Sequence, residues 1–223
     1  MPAPMPGGGV ARRPFHFFFL VDCSGSMTPH GKIQALNAAV EEMLPHLDSV
    51  SAENVHSDIL VRAIAFSSGC TWHIATPTPP GELRWPTLRA QGLTDLGAAL
   101  VTLSAELSTP PMPPRAFPPA VVLISDGRPT DDFEAGLATF VATQWGAKSQ
   151  RFAIAIGTDA DRAMLAQFVG DPEVPVLEAR SADHLKHLLQ FVSTVAMQRS
   201  LPSDGKAQLP PPPQATDSTD GWV

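Results

Sequence analysis

Apolar positions along this chain alternate between two spacings. Phe17-Phe18-Phe19-Leu20-Val21 is an unbroken apolar run that stops at Asp22. Such a run marks a strand covered on both faces and predicts one over His16–Asp22. Beyond Gly31 the spacing changes to three and four. Ile33, Leu36, Val40, Met43, Leu44 and Leu47 make one stripe of an amphipathic helix, and Pro45 is expected to kink or end its last turn. A second strand is predicted over Asp58–Ser67. Cys70–Thr76 follows the Ser67-Ser68-Gly69 turn too closely for a helical crossover, so it should pair antiparallel. Thr76–Leu93 reads as a long Pro-rich loop carrying Trp85. A helix then starts at Thr94-Asp95 and runs through Leu96, Leu100, Leu103 and Leu107 to a proline cluster at Pro110, Pro111, Pro113 and Pro114. Further strands are predicted over Ala120–Ser125, Arg151–Gly157 and Val174–Ala179. They alternate with helices over Asp132–Trp145, Ala160–Val169 and Ala182–Met197.

Alternation of this kind predicts an α/β domain: a doubly wound, mostly parallel six-stranded sheet with helices on both faces. The right-handed crossover rule favours the strand order 3-2-1-4-5-6, with the third strand as an antiparallel edge. The chain then reverses direction between strands one and four. Ligands in such sheets bind at the carboxyl ends of the strands where that reversal occurs.

Composition narrows the picture. Of 223 residues, 14–198 form the domain; 1–13 read as a flexible lead-in and 199–223 as a disordered Pro-rich tail. A net charge of −7 with no basic cluster argues against nucleic acid as a partner. His16–Val21 is too short to cross a bilayer, and no basic-then-apolar secretion pattern opens the chain. No membrane partner is expected, and the location expected is cytoplasmic. Cys23 and Cys70 fit neither a zinc spacing nor a disulfide scaffold, and read as reduced thiols.

The candidate chemistry follows the first strand. Asp22, Ser24 and Ser26 put a carboxylate and two hydroxyls at alternate positions, with Gly25 between the serines to let the backbone bend. The switch-point rule brings Asp126, at the end of the fourth strand, and Thr94, at the start of a helix, to the same rim. Five hard oxygens suit Mg²⁺, or Mn²⁺ or Ca²⁺, with waters kept in the shell and a position left for a carboxylate from outside. Each residue has a plainer reading. Ser24 and Ser26 could cap the first helix, and Asp126-Gly127 could be an ordinary turn. Asp131, Asp132, Asp159 and Asp161 read as helix caps. Gly25–Lys32 lies where a phosphate loop would but lacks its spacing and its Ser/Thr after the lysine. Met27 and Trp85 could ring the metal as exposed contacts; Trp85 could equally pin its own loop. His30 and Asp95 flank the site as further partner contacts, His30 alternatively as a solvated loop histidine. His184 and His187 read as surface residues.

Val21-Asp22-Cys23-Ser24-Gly25-Ser26-Met27, with Thr94 in Gly92-Leu93-Thr94-Asp95-Leu96-Gly97 and Asp126 in Ile124-Ser125-Asp126-Gly127, resembles the von Willebrand factor A (VWA) domain family. That family's metal-ion-dependent adhesion site (MIDAS) carries Asp-x-Ser-x-Ser with a distant Thr and Asp. The resemblance covers residues 14–198. Leu123 to Asp131 and Thr94 to Leu100 further resemble the bacterial TerY-like subgroup, associated with tellurite resistance and stress response. It implies an adaptor or scaffold beside a serine/threonine kinase and a metal-dependent phosphatase. The expected function is therefore a non-enzymatic, metal-dependent protein–protein interaction module to which a partner brings an Asp or Glu. The alternative is a metal-assisted phosphoester hydrolase, for which the sequence offers no second metal set, no phosphate clamp and no convincing base.

Overall fold

The computed structural model describes residues 12–200, 210–214 and 222. Six strands form one sheet: β1 (Arg13–Asp22), β2 (Ser57–Ser67), β3 (Gly69–Thr78), β4 (Ala120–Ser125), β5 (Gln150–Ile156) and β6 (Leu177–Ala179). Their order is β3-β2-β1-β4-β5-β6. All neighbours pair parallel except β2 with β3, which is antiparallel across the Ser68 turn. The order and the antiparallel edge are those expected from the alternation of periods.

Among the described residues five α-helices cover the sheet: α1 (Lys32–Glu53), α2 (Leu96–Ser104), α3 (Phe133–Ala142), α4 (Arg162–Val169) and α5 (Ala182–Ser200). Because side chains on a strand alternate between faces, the apolar run of β1 serves two cores at once. Phe15, Phe17, Phe19 and Val21 pack with Leu36, Val40 and Leu47 of α1 and Leu185, Leu189 and Val192 of α5. Phe18 and Leu20 pack on the other face with Leu96 and Leu100 of α2, Phe140 of α3 and Leu165 of α4. Among the described residues no helix is long and apolar enough to cross a membrane.

Two expectations are corrected. Pro45 does not end α1 and does not lie in its last turn; the helix runs two further turns to Glu53. Both Pro45 and Glu41, whose carbonyl loses its helical partner, face solvent, so water can replace the missing bond. His184 is buried rather than on the surface, and its Nε2 lies 3.1 Å from the Pro213 carbonyl oxygen. Two short pieces of the tail are described. Pro210–Gln214 lie along β6 and α5, and Trp222 is 6% exposed, joins the first core and donates its backbone N–H to the Arg180 carbonyl at 2.8 Å. Residues 201–209, 215–221 and 223, and the lead-in 1–11, lie outside the described residues.

Candidate metal centre

β1 ends at the buried Asp22, and the chain leaves it in two single turns of 3₁₀ helix, Gly25–Met27 and Pro29–Gly31, before α1 begins. Asp22 fixes this exit: its Oδ1 accepts the Ser24 N–H at 2.8 Å and its Oδ2 accepts the Ser125 hydroxyl at 2.6 Å. Ser24 and Ser26 share a hydrogen bond at 2.8 Å, and Ser26 donates to Asp126 Oδ1 at 2.6 Å. Neither serine side chain caps a helix; the N-cap of α1 is Gly31, in the left-handed region. The capping reading of these hydroxyls is thereby set aside.

Thr94 arrives from the Pro-rich loop, which is sewn to both neighbours. Gly25 N–H donates to the Gly92 carbonyl (3.0 Å), Gln91 N–H to the Cys23 carbonyl (2.7 Å) and Asp95 N–H to the Ser67 carbonyl (2.9 Å). Thr94 is exchanged with the loop after β4: its N–H donates to the Thr130 hydroxyl at 3.0 Å, and its carbonyl accepts the Thr130 N–H at 2.9 Å. The Thr94 hydroxyl is left for the rim.

All five oxygen-bearing residues therefore meet. Gly127 marks the meeting point: a Cβ placed there would lie 3.5 Å from Ser26 Oγ, 3.8 Å from Thr94 Oγ1 and 4.0 Å from Asp22 Oδ2. The glycine keeps this space open among three hydroxyls and two carboxylates. Asp22, Ser24, Thr94 and Asp126 are buried, whereas Ser26 is exposed, so the cradle opens outward. Burial pushes the Asp22 carboxyl above its ordinary range. The hydrogen bonds from Ser125 and Ser24 oppose that push, and the neighbouring Asp126 charge adds to it. A buried carboxylate in this state gains from a nearby cation. Among the described residues no three His, Cys, Asp or Glu side chains cluster. The donors are thus hydroxyl and carboxylate oxygens, which fit a small hard cation better than zinc-type nitrogen and sulfur ligation.

The proposed partner contacts divide. Met27 is fully buried; it plugs the underside of the loop in the first core and cannot touch a guest. Trp85 is 8% exposed. Its Nε1 donates to Asn37 Oδ1 at 3.1 Å and its ring stands edge-on to Phe19 and His73. Trp85 pins its own loop, the second of its two readings. Asn37 completes that clasp by accepting the Leu88 N–H and donating to the Leu88 and Ile33 carbonyls. Asp95 is half-buried, with its carboxylate accepting the Gly69 N–H (2.7 Å) and the Thr130 hydroxyl (3.0 Å), and so braces the loop. His30 is exposed, with φ 57°, and remains at the rim.

Sequence reasoning missed four residues. Ser125 orients Asp22, and Thr130 holds Thr94. Leu93, beside Thr94, is 56% exposed and is a large apolar side chain at the rim. Lys32 reaches Asp126 Oδ2 at 2.6 Å. Their signals were weak: an isolated Ser, Thr or Leu beside a motif carries no pattern, and Lys32 reads as the first polar residue of an amphipathic helix.

The family model for the von Willebrand factor type A domain matches residues 17–191. No curated protein matches the chain. Solved structures share the fold. The von Willebrand factor type A protein from Catenulispora acidiphila is 18% identical with a TM-score of 0.62, over 83% of this chain and 43% of that one. The pilus adhesin SpaC from Lactobacillus rhamnosus GG is 16% identical with a TM-score of 0.67, over 85% and 31%. Proximal thread matrix protein 1 from the mussel byssus, solved with a zinc-occupied MIDAS motif, is 19% identical with a TM-score of 0.61, over 83% and 48%. The chain spans less than half the length of each of these three proteins. With its six strands in the order β3-β2-β1-β4-β5-β6 and the family model matched over most of its length, the chain belongs to the von Willebrand factor type A domain family.

Proposed function

We propose that this chain is a metal-dependent protein–protein interaction module, in which Asp22, Ser24, Ser26, Thr94 and Asp126 hold a divalent cation, Mg²⁺ in the cell. A partner's Asp or Glu completes the coordination. The observation that carries this reading is the convergence of oxygens from three separate segments on the open space beside Gly127. The zinc-occupied MIDAS of the mussel protein, which has the same fold, supports it. When bound, the cation supplies a dipositive charge to which a carboxylate can bind. The residues do the rest. Asp22 and Asp126 supply charge, the three hydroxyls orient, and the buried Met27 and the Gly25–Gly92 bond keep the loop in place before a guest arrives. Exposed Leu93 and His30 flank the opening and contribute to partner choice.

The likeness of Leu123–Asp131 and Thr94–Leu100 to the TerY-like subgroup supports a finer role: an adaptor in a cytoplasmic stress-response or tellurite-resistance system, with a serine/threonine kinase or a metal-dependent phosphatase as partner. The two free cysteines are in keeping with a reducing compartment.

Capture from a host lysate on the immobilised chain, in Mg²⁺ and in EDTA, tests the reading. Proteins retained in Mg²⁺ should be lost both in EDTA and on the Asp22→Ala variant. That variant should bind Mn²⁺ more weakly by at least the roughly 10–100-fold typical of losing an outer-shell partner. Unchanged capture by Asp22→Ala overturns it.

A further inference from the structure

The two rim carboxylates share their surroundings with a positive charge. Lys32, the first residue of α1, is 7% exposed. Its ammonium donates to Asp126 Oδ2 at 2.6 Å, while Asp126 Oδ1 takes the Ser26 hydroxyl. A helix N-terminus is an unfavourable place for a cation, and long charged side chains are rarely so buried without a partner, so neither helix formation nor solubility accounts for this lysine. The space around it is built. Gly157 follows β5 with φ 76°, and a Cβ there would lie 3.5 Å from both Nζ and Cε of Lys32 and 3.8 Å from Trp222 Cβ. The ammonium is thus enclosed between Asp126, the Gly157 backbone and Trp222.

We propose that Lys32 is the resident counter-charge of the rim. In the metal-free chain its ammonium offsets Asp126, so that the two buried aspartates coexist and the loop folds without a divalent ion. The same charge repels an incoming dication and weakens its binding, which makes occupancy respond to the free metal concentration instead of being permanent. With Lys32, Asp22 and Asp126 all ionised the rim carries a net charge of −1; without the ammonium it carries −2. Both effects have one sign. Losing Lys32 leaves a buried anion unpaired, a costly state, and removes a repulsion that low local dielectric strengthens. This inference rests on the reading of the rim as a cation site.

The test is Lys32→Met, which keeps the length of the side chain and removes its charge. Mn²⁺ is titrated into the full chain of wild type and variant, and both are melted in EDTA and in saturating Mn²⁺. The expected result is at least tenfold tighter Mn²⁺ binding by the variant, a lower melting temperature than wild type in EDTA, and closure of that gap in Mn²⁺. Equal or weaker Mn²⁺ binding by a folded variant overturns the role of Lys32 and leaves the cation site standing. No Mn²⁺ binding by either protein overturns the cation site itself. Should Lys32→Met fail to fold in EDTA, the double variant Lys32→Met/Asp126→Asn decides. It carries no unpaired carboxylate at 126, so recovered folding supports the counter-charge and continued failure overturns it.

Discussion

His16 lies on β1 with its ring stacked on Phe18 at 5.8 Å and 13°. Among the described residues neither of its buried ring nitrogens has a hydrogen-bond partner. Burial, and secondarily the Arg62 charge, lower its pKa from 6.5 to about 4, with Glu106 acting weakly the other way. Between those two values the unfolded chain binds a proton that the folded chain refuses. The contribution of neutral His16 is therefore complete above pH 6.5 and is lost as pH falls toward 4. The full swing is on the order of 3 kcal/mol. His16→Phe should keep the stacking and remove the swing, so denaturant melts should show a larger advantage over wild type at pH 5 than at pH 7.5. An advantage independent of pH would assign the acid sensitivity to other groups. The same scale shows where one-dimensional reading fails. The five oxygens were legible because their residue types and chain order carry a pattern. Met27 looked like an exposed contact and Trp85 stood open between two readings, because position along the chain does not reveal which way a side chain turns at a loop. Lys32 was passed over because a lysine at the edge of an apolar stripe ordinarily faces water.

Helices α2 and α3 cross at glycine. A Cβ on Gly136 would come within 2.6 Å of Gly97 Cα and of the Gly97 carbonyl oxygen, and one on Gly97 within 2.4 Å of the Asp132 carbonyl oxygen. These neighbours are backbone and cannot swing aside. Gly136→Ala gains about 1 kcal/mol of helix propensity but has to separate the helices, and overpacking ordinarily costs about 1–3 kcal/mol. The expected net result is a lower melting temperature in EDTA; a melting temperature at or above wild type would mean the crossing can open freely. This crossing also bears on the rim. Asp131, at the entrance to α3, accepts the Gly97 and Ala98 N–H groups that open α2, directly after Thr94 and Asp95. It does cap a helix, as its type suggests, but the preceding one. Asp132 and Asp161 cap α3 and α4. Among the described residues periodicity sufficed to find the six strands and five α-helices in type and order, though not the short 3₁₀ turns. It misjudged ends where solvent or a distant partner decides them: α1 continues past Pro45 because the freed carbonyl faces water, and β6 shrinks to Leu177–Ala179.

At the scale of the molecule, the sheet order could be anticipated because crossover handedness leaves few alternatives. The contacts of Pro210–Gln214 and Trp222 could not be anticipated, because a proline run followed by polar residues has the composition of a linker and a single tryptophan does not alter that. Trp222 is nevertheless a core residue. Trp222→Ala should cost less than the roughly 3–5 kcal/mol of a central tryptophan, because releasing residue 222 returns conformational entropy. A loss of about 1–2 kcal/mol corresponds to about 2–8 °C in a domain of this size, read in a thermal melt beside wild type. An unchanged melt would mean that the tryptophan adds nothing to the fold. The placement of Trp222 also has a practical side. Arg13 opens β1 at the amino end of the parallel strands, whereas Trp222 is bonded to Arg180, just past the carboxyl end of β6. A reporter or affinity handle joined directly ahead of Arg13 would sit about 30 Å from the rim, the length of a ten-residue strand. The same cargo appended behind the tryptophan would emerge beside that rim and crowd any guest, so binding assays should carry their labels at the front.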